Sequence, residues 1–319
     1  MTPTALITGI AGFCGSYLAE LLIEQGWRVA GLDVAADAGQ RLGRLGLAVE
    51  LHQSDLGDAE ALAAIIAAVR PDQVYHLAAL TNPAAPYRAL YEANVYGTIH
   101  LLQALAEAAP RARLLIAGSS AQYGPTQPHE NPIGEAQEFR PITQYAVTKA
   151  TQDLLGNMAA AAGQPVIRTR SFNIIGPRQG PQFVSAAFAR QIAEIEQGRR
   201  PPVIEVGNLA AVRDFIDVRD VARAYALALA AGRPGQVYNV CSGSGRSVQS
   251  LLDGLLALST APSIEVRTVA ERLQPADVPA QVGSYARLAA DTGWRPLIPW
   301  EQALSDLLDY WRAVVAGDR

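Results

Sequence analysis

The sequence predicts an α/β fold: a doubly wound parallel sheet followed by a smaller C-terminal α/β lobe. Three observations carry that prediction. Short apolar runs alternate with helical patterns throughout the first half, a glycine-rich string joins the first apolar run to the first helical one, and this rhythm degrades after about residue 172. Strands alternating with helices argue for a parallel sheet covered on both faces.

Taken in order, strands are expected at Ala5–Thr8, Arg28–Leu32, Val49–His52, Gln73–Leu77, Leu114–Ala117 and Val166–Thr169. Helices are expected between them at Gly15–Gln25, Asp58–Val69, Asn94–Ala108 and Ile142–Ala162, which gives a sheet of six or seven strands. From Asn173 to Gln182 the chain is rich in Gly and Pro and cannot form a long helix or a central strand. A helix at Ser185–Gln197 and a Pro-rich turn at Arg200–Pro202 follow. Two later pieces, a helix at Asp217–Ala231 and a strand at Gln236–Val240, read as returns to the main sheet. The expected division is therefore 1–172 with 217–243 as one domain, and 173–216 with 244–319 as a lobe that contributes substrate contacts.

Hydrophobic residues at 50% and charged residues at 18% fit an ordinary globular chain able to bury a large core. The net charge is −4 and no basic block is present, which argues against nucleic acid as a partner. Cys14 and Cys241 are far apart, and the four histidines show no metal-binding spacing, so no metal is expected. No apolar run reaches the ~18 to 20 residues that crossing a membrane requires, and no leader-like stretch precedes the first strand. The cytoplasm is the expected compartment.

Thr8-Gly9-Ile10-Ala11-Gly12-Phe13-Cys14-Gly15 lies between the first strand and the first helix. Glycines there permit a tight turn and close approach of backbone to a pyrophosphate, and the helix start offers unpaired N–H groups to its oxygens. Asp33, 18 residues after Gly15 at the end of the second strand, can accept both adenosine ribose hydroxyls and repel a 2′-phosphate. That reading favours NAD with NADP also admitted; the plain alternative is a solvated turn-capping carboxylate. Asp55 and the adjoining Leu56 follow the third strand and sit where an adenine would lie. Leu77, Ala78 and Ala79 follow the fourth strand, the two alanines small enough to let a cofactor lie against the backbone.

Tyr145-Ala-Val-Thr-Lys149 sets a phenol and an ammonium one helical turn apart, on one face. A phenol of pKa near 10 is a poor catalyst at neutral pH, and a nearby cation favours its phenolate. The pair lies at the start of the helix that follows a strand ending Gly118-Ser119-Ser120. A hydroxyl at Ser119 can hold a substrate oxygen whose charge changes during reaction. Asn94 stands where it could cap its helix, and its place there also resembles that of a helix asparagine that shapes a cofactor-binding active site; the two readings are compatible.

The glycine loop, Ser119, Tyr145 and Lys149 in this order resemble the extended short-chain dehydrogenase/reductases, whose nucleotide-binding domain is a Rossmann fold, across essentially the whole chain. Arg170-Ser-Phe-Asn-Ile-Ile-Gly-Pro-Arg178, Val206 to Asp220 and Val237-Tyr-Asn-Val-Cys-Ser-Gly243 resemble the group that contains GDP-mannose 4,6-dehydratases and GDP-6-deoxy-D-mannose reductases, the reductases more closely. The resemblance implies an NAD(P)-dependent 4-ketoreductase acting on a GDP-linked deoxysugar. It implies that Tyr145 protonates the sugar oxygen, Ser119 orients it, and Lys149 grips the nicotinamide ribose. It also implies substrate contacts from Thr81, Ser120, Asn173 and Val184, with Arg178 and Arg213 on the diphosphate and guanosine and Asp277 on the nucleotide ribose. Arg213 has a structural alternative, an ion pair with Asp214 or Asp217. A homodimer through the helices at 94–108 and 142–162 is implied as well.

Three departures qualify the match. Ala121 stands where the dehydratases carry a glutamate for proton chemistry at C5, so elimination of water lacks its base. Gln274-Pro275 replaces an Arg-Pro near the nucleotide, with Arg272 a candidate substitute for the charge. Asp33 stands where many relatives carry a basic residue. The nearest rival activity is a sugar 4-epimerase, which uses the same three residues and retains its NAD. A non-catalytic dinucleotide sensor on the same fold is the reading from another class, and it has no need of the intact trio.

Overall fold

The structure, a computed structural model, describes residues 2–82, 85–269 and 278–317. The first half winds through β1 (Thr4–Thr8), α1 (Phe13–Glu24), β2 (Arg28–Asp33), a short α2 (Ala38–Arg44), β3 (Glu50–Gln53), α3 (Ala59–Val69) and β4 (Gln73–His76). α4 (Tyr87–Tyr91) then runs through a π-helical segment, Glu92–Tyr96, into α5 (Gly97–Ala108). β5 (Arg113–Ser119), α6 (Gln144–Ala161) and β6 (Val166–Ser171) complete this half. The remainder comprises β7 (Asn173–Ile175), α7 (Val184–Glu196), β8 (Val203–Val206), β9 (Val212–Asp217), α8 (Val218–Ala231), β10 (Val237–Val240), β11 (Gly245–Ser247), α9 (Val248–Ala257), β12 (Glu265–Thr268), β13 (Ala280–Gln281), α10 (Ala286–Thr292) and α11 (Trp300–Ala316).

Seven parallel strands form the main sheet in the order β10-β6-β5-β4-β1-β2-β3. The chain winds one way from β1 to β3 and the other way from β4 to β10. The strand order thus reverses at β1 and β4, and such a switch point opens a crevice beyond the C-terminal strand ends. β5 and β6 each run two residues past the sequence expectation, because Gly118 pairs with Arg170 and Ser119 with Ser171. That extension carries Ser119 out to the rim. Strands buried on both faces supply apolar side chains to a core on each side of the sheet, Ile7 and Leu115 to one and Leu6 and Val74 to the other.

The smaller lobe has its own core, where Phe188 and Ile192 of α7 meet Leu251 and Leu255 of α9 and Leu304, Leu307 and Trp311 of α11. β9 lies at the centre of its main sheet, flanked by β11 and β13 and also paired with β7. β10 pairs with β6 at the edge of the main sheet, and α8 packs into a main-sheet core. So does a piece the sequence division leaves in the smaller lobe: Leu288 of α10 and Trp294 are buried in the main-sheet core. Trp294 is drawn there by its indole N–H, which donates to the Asp220 carbonyl at the start of α8. Among the described residues no helix is long and apolar enough to cross a membrane, and no cluster of His, Cys, Asp or Glu is arranged to hold a metal.

Candidate active site

The glycine loop is built from backbone contacts that leave no room for side chains. Gly9 adopts a positive φ of 71° and donates to the Leu32 carbonyl at 2.7 Å. A Cβ on Gly9 would stand 2.9 Å from the Ala78 backbone, and one on Gly15 would stand 2.3 Å from the Gly9 carbonyl oxygen. Gly12 is the N-cap of α1, so no side chain covers the first helical amides. The resulting surface is a bare backbone cradle at a helix N-terminus, which suits a pyrophosphate.

From this cradle a groove of about 990 Å³ runs along the ends of β1 to β4, lined by Asp33, Asp55, Leu56, Leu77, Ala78 and Ala79. Asp33 is nearly buried, and its two oxygens accept from the Ala11 and Ala35 amides at 2.9 and 3.0 Å. It therefore shapes the turn after β2, and the residue also lines the groove. Asp55 accepts from the Gly57 amide at 2.8 Å in the same manner. A glycine cradle, a long groove and two carboxylates at its far end fit a dinucleotide.

A second cavity of about 720 Å³ shares Gly9, Gly12, Leu77 and Ala79 with the groove and continues toward the smaller lobe. It is lined by Phe13, Cys14 and Gly15 of the loop, by Thr81, Ser119, Ser120, Ala121 and Tyr145, and across the cleft by Asn173, Arg178, Val184 and Arg213. Asp277, and Arg272 and Gln274 with it, lie outside the described residues.

Ser119 ends β5 and caps the short 3₁₀ turn Ser120–Tyr123, its Oγ accepting from the Ala121 amide at 3.2 Å. The turn can close only because Gly124 follows: a Cβ there would overlap the Arg140 carbonyl. Tyr145 lies in the first turn of α6, which Thr143 caps by accepting from the Ala146 amide. Burial raises the Tyr145 phenol above its ordinary pKa, and a hydrogen bond with Ser119 opposes the rise. The lowering expected from Lys149 is not the operative one, and geometry gives the reason. The Lys149 ammonium is buried behind the cavity wall and donates to the Ala117 carbonyl at 2.7 Å and to Gln152 Oε1 at 2.8 Å. Burial pulls its own pKa down to about 8. Cys14 is pushed up to about 12 by burial, which keeps it a thiol at neutral pH.

Asn94 is no helix cap. It sits inside the π-helical segment and is fully buried. Its amide closes a pair of hydrogen bonds with the Leu80 backbone, accepting from N at 2.7 Å and donating to O at 3.1 Å, and donates to Thr148 Oγ1 at 3.0 Å. It thereby ties the segment after β4 to the helix that bears Tyr145, a use of a π-bulge typical of functional sites. Asn94 and Lys149 stand behind the walls of the cleft, whereas the other catalytic and cofactor candidates line it.

Across the cleft, the arginines differ. Arg178 has a positive φ of 70°, grips Glu20 of α1 through two hydrogen bonds at 2.7 and 3.1 Å, and lies over the Tyr17 ring. The guanidinium assigned to a diphosphate from the sequence is therefore spent on a carboxylate of the neighbouring lobe. Arg213 donates to the Val212 and Val278 carbonyls. Its proposed ion-pair partners are engaged elsewhere: Asp214 accepts from Ser242, Gly243 and Gly283, and Asp217 pairs with Arg219. Two polar residues that sequence reasoning passed over also belong here. Gln281 of β13 exchanges hydrogen bonds with Ser120, accepting from its hydroxyl and donating to its carbonyl, which occupies the hydroxyl assigned to substrate. Gln152 holds Lys149.

Comparison with known proteins agrees with this geometry. The profile of the family described as GDP-mannose 4,6 dehydratase matches residues 6–307. The GDP-6-deoxy-D-mannose reductase of Pseudomonas aeruginosa is 35% identical over 99% of both chains. The solved structure of RMD from Pseudomonas aeruginosa complexed with NADPH superposes with a TM-score of 0.86 at 32% identity, covering 98% of this chain and all of that one. A Thermus thermophilus UDP-glucose 4-epimerase complexed with NAD superposes with a TM-score of 0.84 at 29% identity, over 97% of this chain and 99% of that one. The chain belongs to the GDP-mannose 4,6 dehydratase family, within the extended short-chain dehydrogenase/reductases.

Proposed function

We propose that the protein reduces the 4-keto group of a nucleotide-linked deoxysugar, converting GDP-4-dehydro-6-deoxy-D-mannose to GDP-6-deoxy-D-mannose. The observation that carries this reading is that Ser119 and Tyr145 line one cavity adjoining the dinucleotide groove, beside Ala121 instead of a carboxylate. Reduction needs one proton donor and one oxygen-holding group, and the pair supplies both. Elimination across C5–C6 needs a base that Ala121 cannot provide.

The Rossmann half, residues 1–172 with 217–243, takes the coenzyme, and residues 173–216 with 244–319 take the sugar nucleotide. When bound, NAD(P)H supplies the hydride to C4. Ser119 holds the C4 oxygen, Tyr145 gives its proton to that oxygen, and the raised phenol pKa keeps the proton on Tyr145 until it is needed. Lys149 supports the coenzyme ribose from behind. Asn173 and Val184 meet the sugar nucleotide, and Arg213 meets the diphosphate, where a fixed guanidinium pairs bidentately with phosphate oxygens. Asp33 favours NAD, because its carboxylate repels a 2′-phosphate; NADP is admitted as the weaker coenzyme. A homodimer joined along α5 and α6 belongs to the same proposal, supported by the exposed Leu154 and Met158 of α6 and Tyr96 just before α5. So does a cytoplasmic setting.

The test is oxidation of NADH and NADPH with GDP-4-dehydro-6-deoxy-D-mannose, made in place by a separate dehydratase. The expected result is one GDP-6-deoxyhexose formed per coenzyme consumed, faster with NADH. The second reading, a 4-epimerase, is favoured by the epimerase-like superposition. It would be adopted if neither coenzyme were consumed and the protein copurified with firmly held NAD.

A further inference from the structure

We propose that Gln152 is a positioning residue for the reaction: its side-chain amide holds the Lys149 ammonium in place behind the coenzyme cleft and sets that group's affinity for its proton. The inference rests on the reading that Lys149 supports the coenzyme ribose.

Residues 149 and 152 are three apart on α6, so they lie on one face. Gln152 is buried, and its Oε1 accepts from Lys149 Nζ at 2.8 Å. Lysine has only donors, so this contact fixes the amide's orientation and turns Nε2 the other way. There it donates to Thr98 Oγ1 at 2.7 Å and approaches His76 Nε2 at 3.3 Å. Thr98 spends its own proton on the Asn94 carbonyl at 2.6 Å, so His76 Nε2–H donates to Thr98 Oγ1 at 2.9 Å. His76 Nδ1 then accepts from Thr8 Oγ1 at 2.9 Å, and Thr8 is the residue that enters the glycine loop. A continuous buried chain thus links the ammonium to the first turn of the coenzyme cradle. His76 is neutral within it, its pKa pulled down to about 3 by burial and by Lys149.

The chain contains no carboxylate. Asp153, the next residue, is taken up by Arg168 and Arg170. The titratable groups that act on Lys149 are Cys14 from the glycine loop and His76 from β4; Tyr145 lies one turn away on the same helix, and Tyr225 of α8 faces Cys14 and Tyr145. Cys14, Tyr145 and Tyr225 are raised and His76 is lowered, so none of the four changes charge between pH 6 and pH 9. A buried ammonium held only by neutral acceptors keeps its proton weakly. Gln152 is the acceptor whose replacement changes that balance, since the other is the backbone of Ala117.

The experiment measures the dissociation constant for NADH by fluorescence from pH 6 to pH 9.5, with wild type, Gln152→Met and Gln152→Glu, and circular dichroism at each pH. Wild type should bind evenly at low pH and weaken above a break near the Lys149 pKa of about 8, by at most about tenfold per pH unit. Gln152→Met removes the acceptor, so its break should fall by about a unit or more. Its binding should be several-fold weaker at pH 7.5 and within twofold of wild type at pH 6. Gln152→Glu supplies a carboxylate, so its break should rise and its binding at pH 9 should tighten several-fold relative to wild type. Coincident breaks in folded variants, or weakening by the same factor at every pH, would overturn the proposal. Should Gln152→Met fail to fold, the direction of the Gln152→Glu shift decides alone. No sugar is used, so failure of the proposed reductase activity would leave this result standing and be recognised separately.

Discussion

The wall of the cleft that carries Ser119 and Tyr145 and the wall that carries Arg178 and Arg213 face one another, yet they are held by different means. Ser119 ends a seven-residue strand bonded on both sides, and Tyr145 starts an 18-residue helix. That helix is anchored from beneath by Asp153, whose carboxylate takes Gln122, Arg168 and Arg170 together in a nearly solvent-free setting. The opposite wall combines a three-residue strand, a Gly- and Pro-rich loop with Arg178 in left-handed backbone, the first turn of α7 and the start of β9, which carries Arg213. The difference separates two tasks. Proton transfer requires atoms held to within a fraction of an ångström, which rigid elements provide. Recognition of a sugar nucleotide tolerates adjustment, and loops on a rigid scaffold supply it.

The largest effect should follow from removing chemistry from the rigid wall. Tyr145→Phe keeps the ring and deletes the proton donor, so kcat should fall by roughly 10³-fold, within the range assigned to a positioned general acid. NADH affinity should stay within twofold, and the unfolding midpoint should not fall, because the buried face of α6 is untouched. A variant retaining a tenth of wild-type turnover would end the assignment of the donor and remove the contrast with the other wall.

An intermediate effect should come from the opposite wall. Arg213→Ala removes a guanidinium that lines the cavity, and a charge-assisted hydrogen bond lost from a ligand is worth about 1.5–3 kcal/mol, or roughly tenfold to a hundredfold in binding. KM for the sugar nucleotide should rise by that factor with kcat changed less than threefold, and coenzyme affinity should be unaffected. A fall in kcat at constant KM would instead place Arg213 with the rigid, chemical wall.

The same contrast explains what could be read from the sequence. The glycine loop, Asp33, and the Ser119, Tyr145 and Lys149 trio are legible because each depends on neighbours along the chain, a strand end or one helical turn. Main-sheet strands are legible as apolar runs between helices. The three-residue β7 and β11 and the two-residue β13 carry no period to detect, and they build the smaller lobe. Gln152 could be noticed only as a polar residue on a helix face. That the face is buried depends on His76 and Thr98, 76 and 54 positions away. Gln281 reaches Ser120 across 161 positions, and Arg178 reaches Glu20 across 158. Contacts of that range are set by how the two lobes pack, and no local signal announces them.

The smallest effect concerns Arg178, and it decides what that residue is for. Its bidentate contact with Glu20 is about a quarter exposed on both sides. Screened to that degree, such a pair is worth about 1 kcal/mol or less. If Arg178 serves to fasten the loop after β7 to α1, Arg178→Ala and Glu20→Gln should lower stability by similar small amounts. Each should also change the KM for the sugar nucleotide by no more than threefold, and the double variant should lose little beyond either single one. If Arg178 instead binds the diphosphate, the two variants must part. Arg178→Ala would then raise KM at least tenfold, while Glu20→Gln, by freeing the guanidinium from its competitor, would leave KM unchanged or lower it. Bond geometry favours the first outcome: a guanidinium that already gives two short hydrogen bonds to a carboxylate must break both before it can turn to a phosphate.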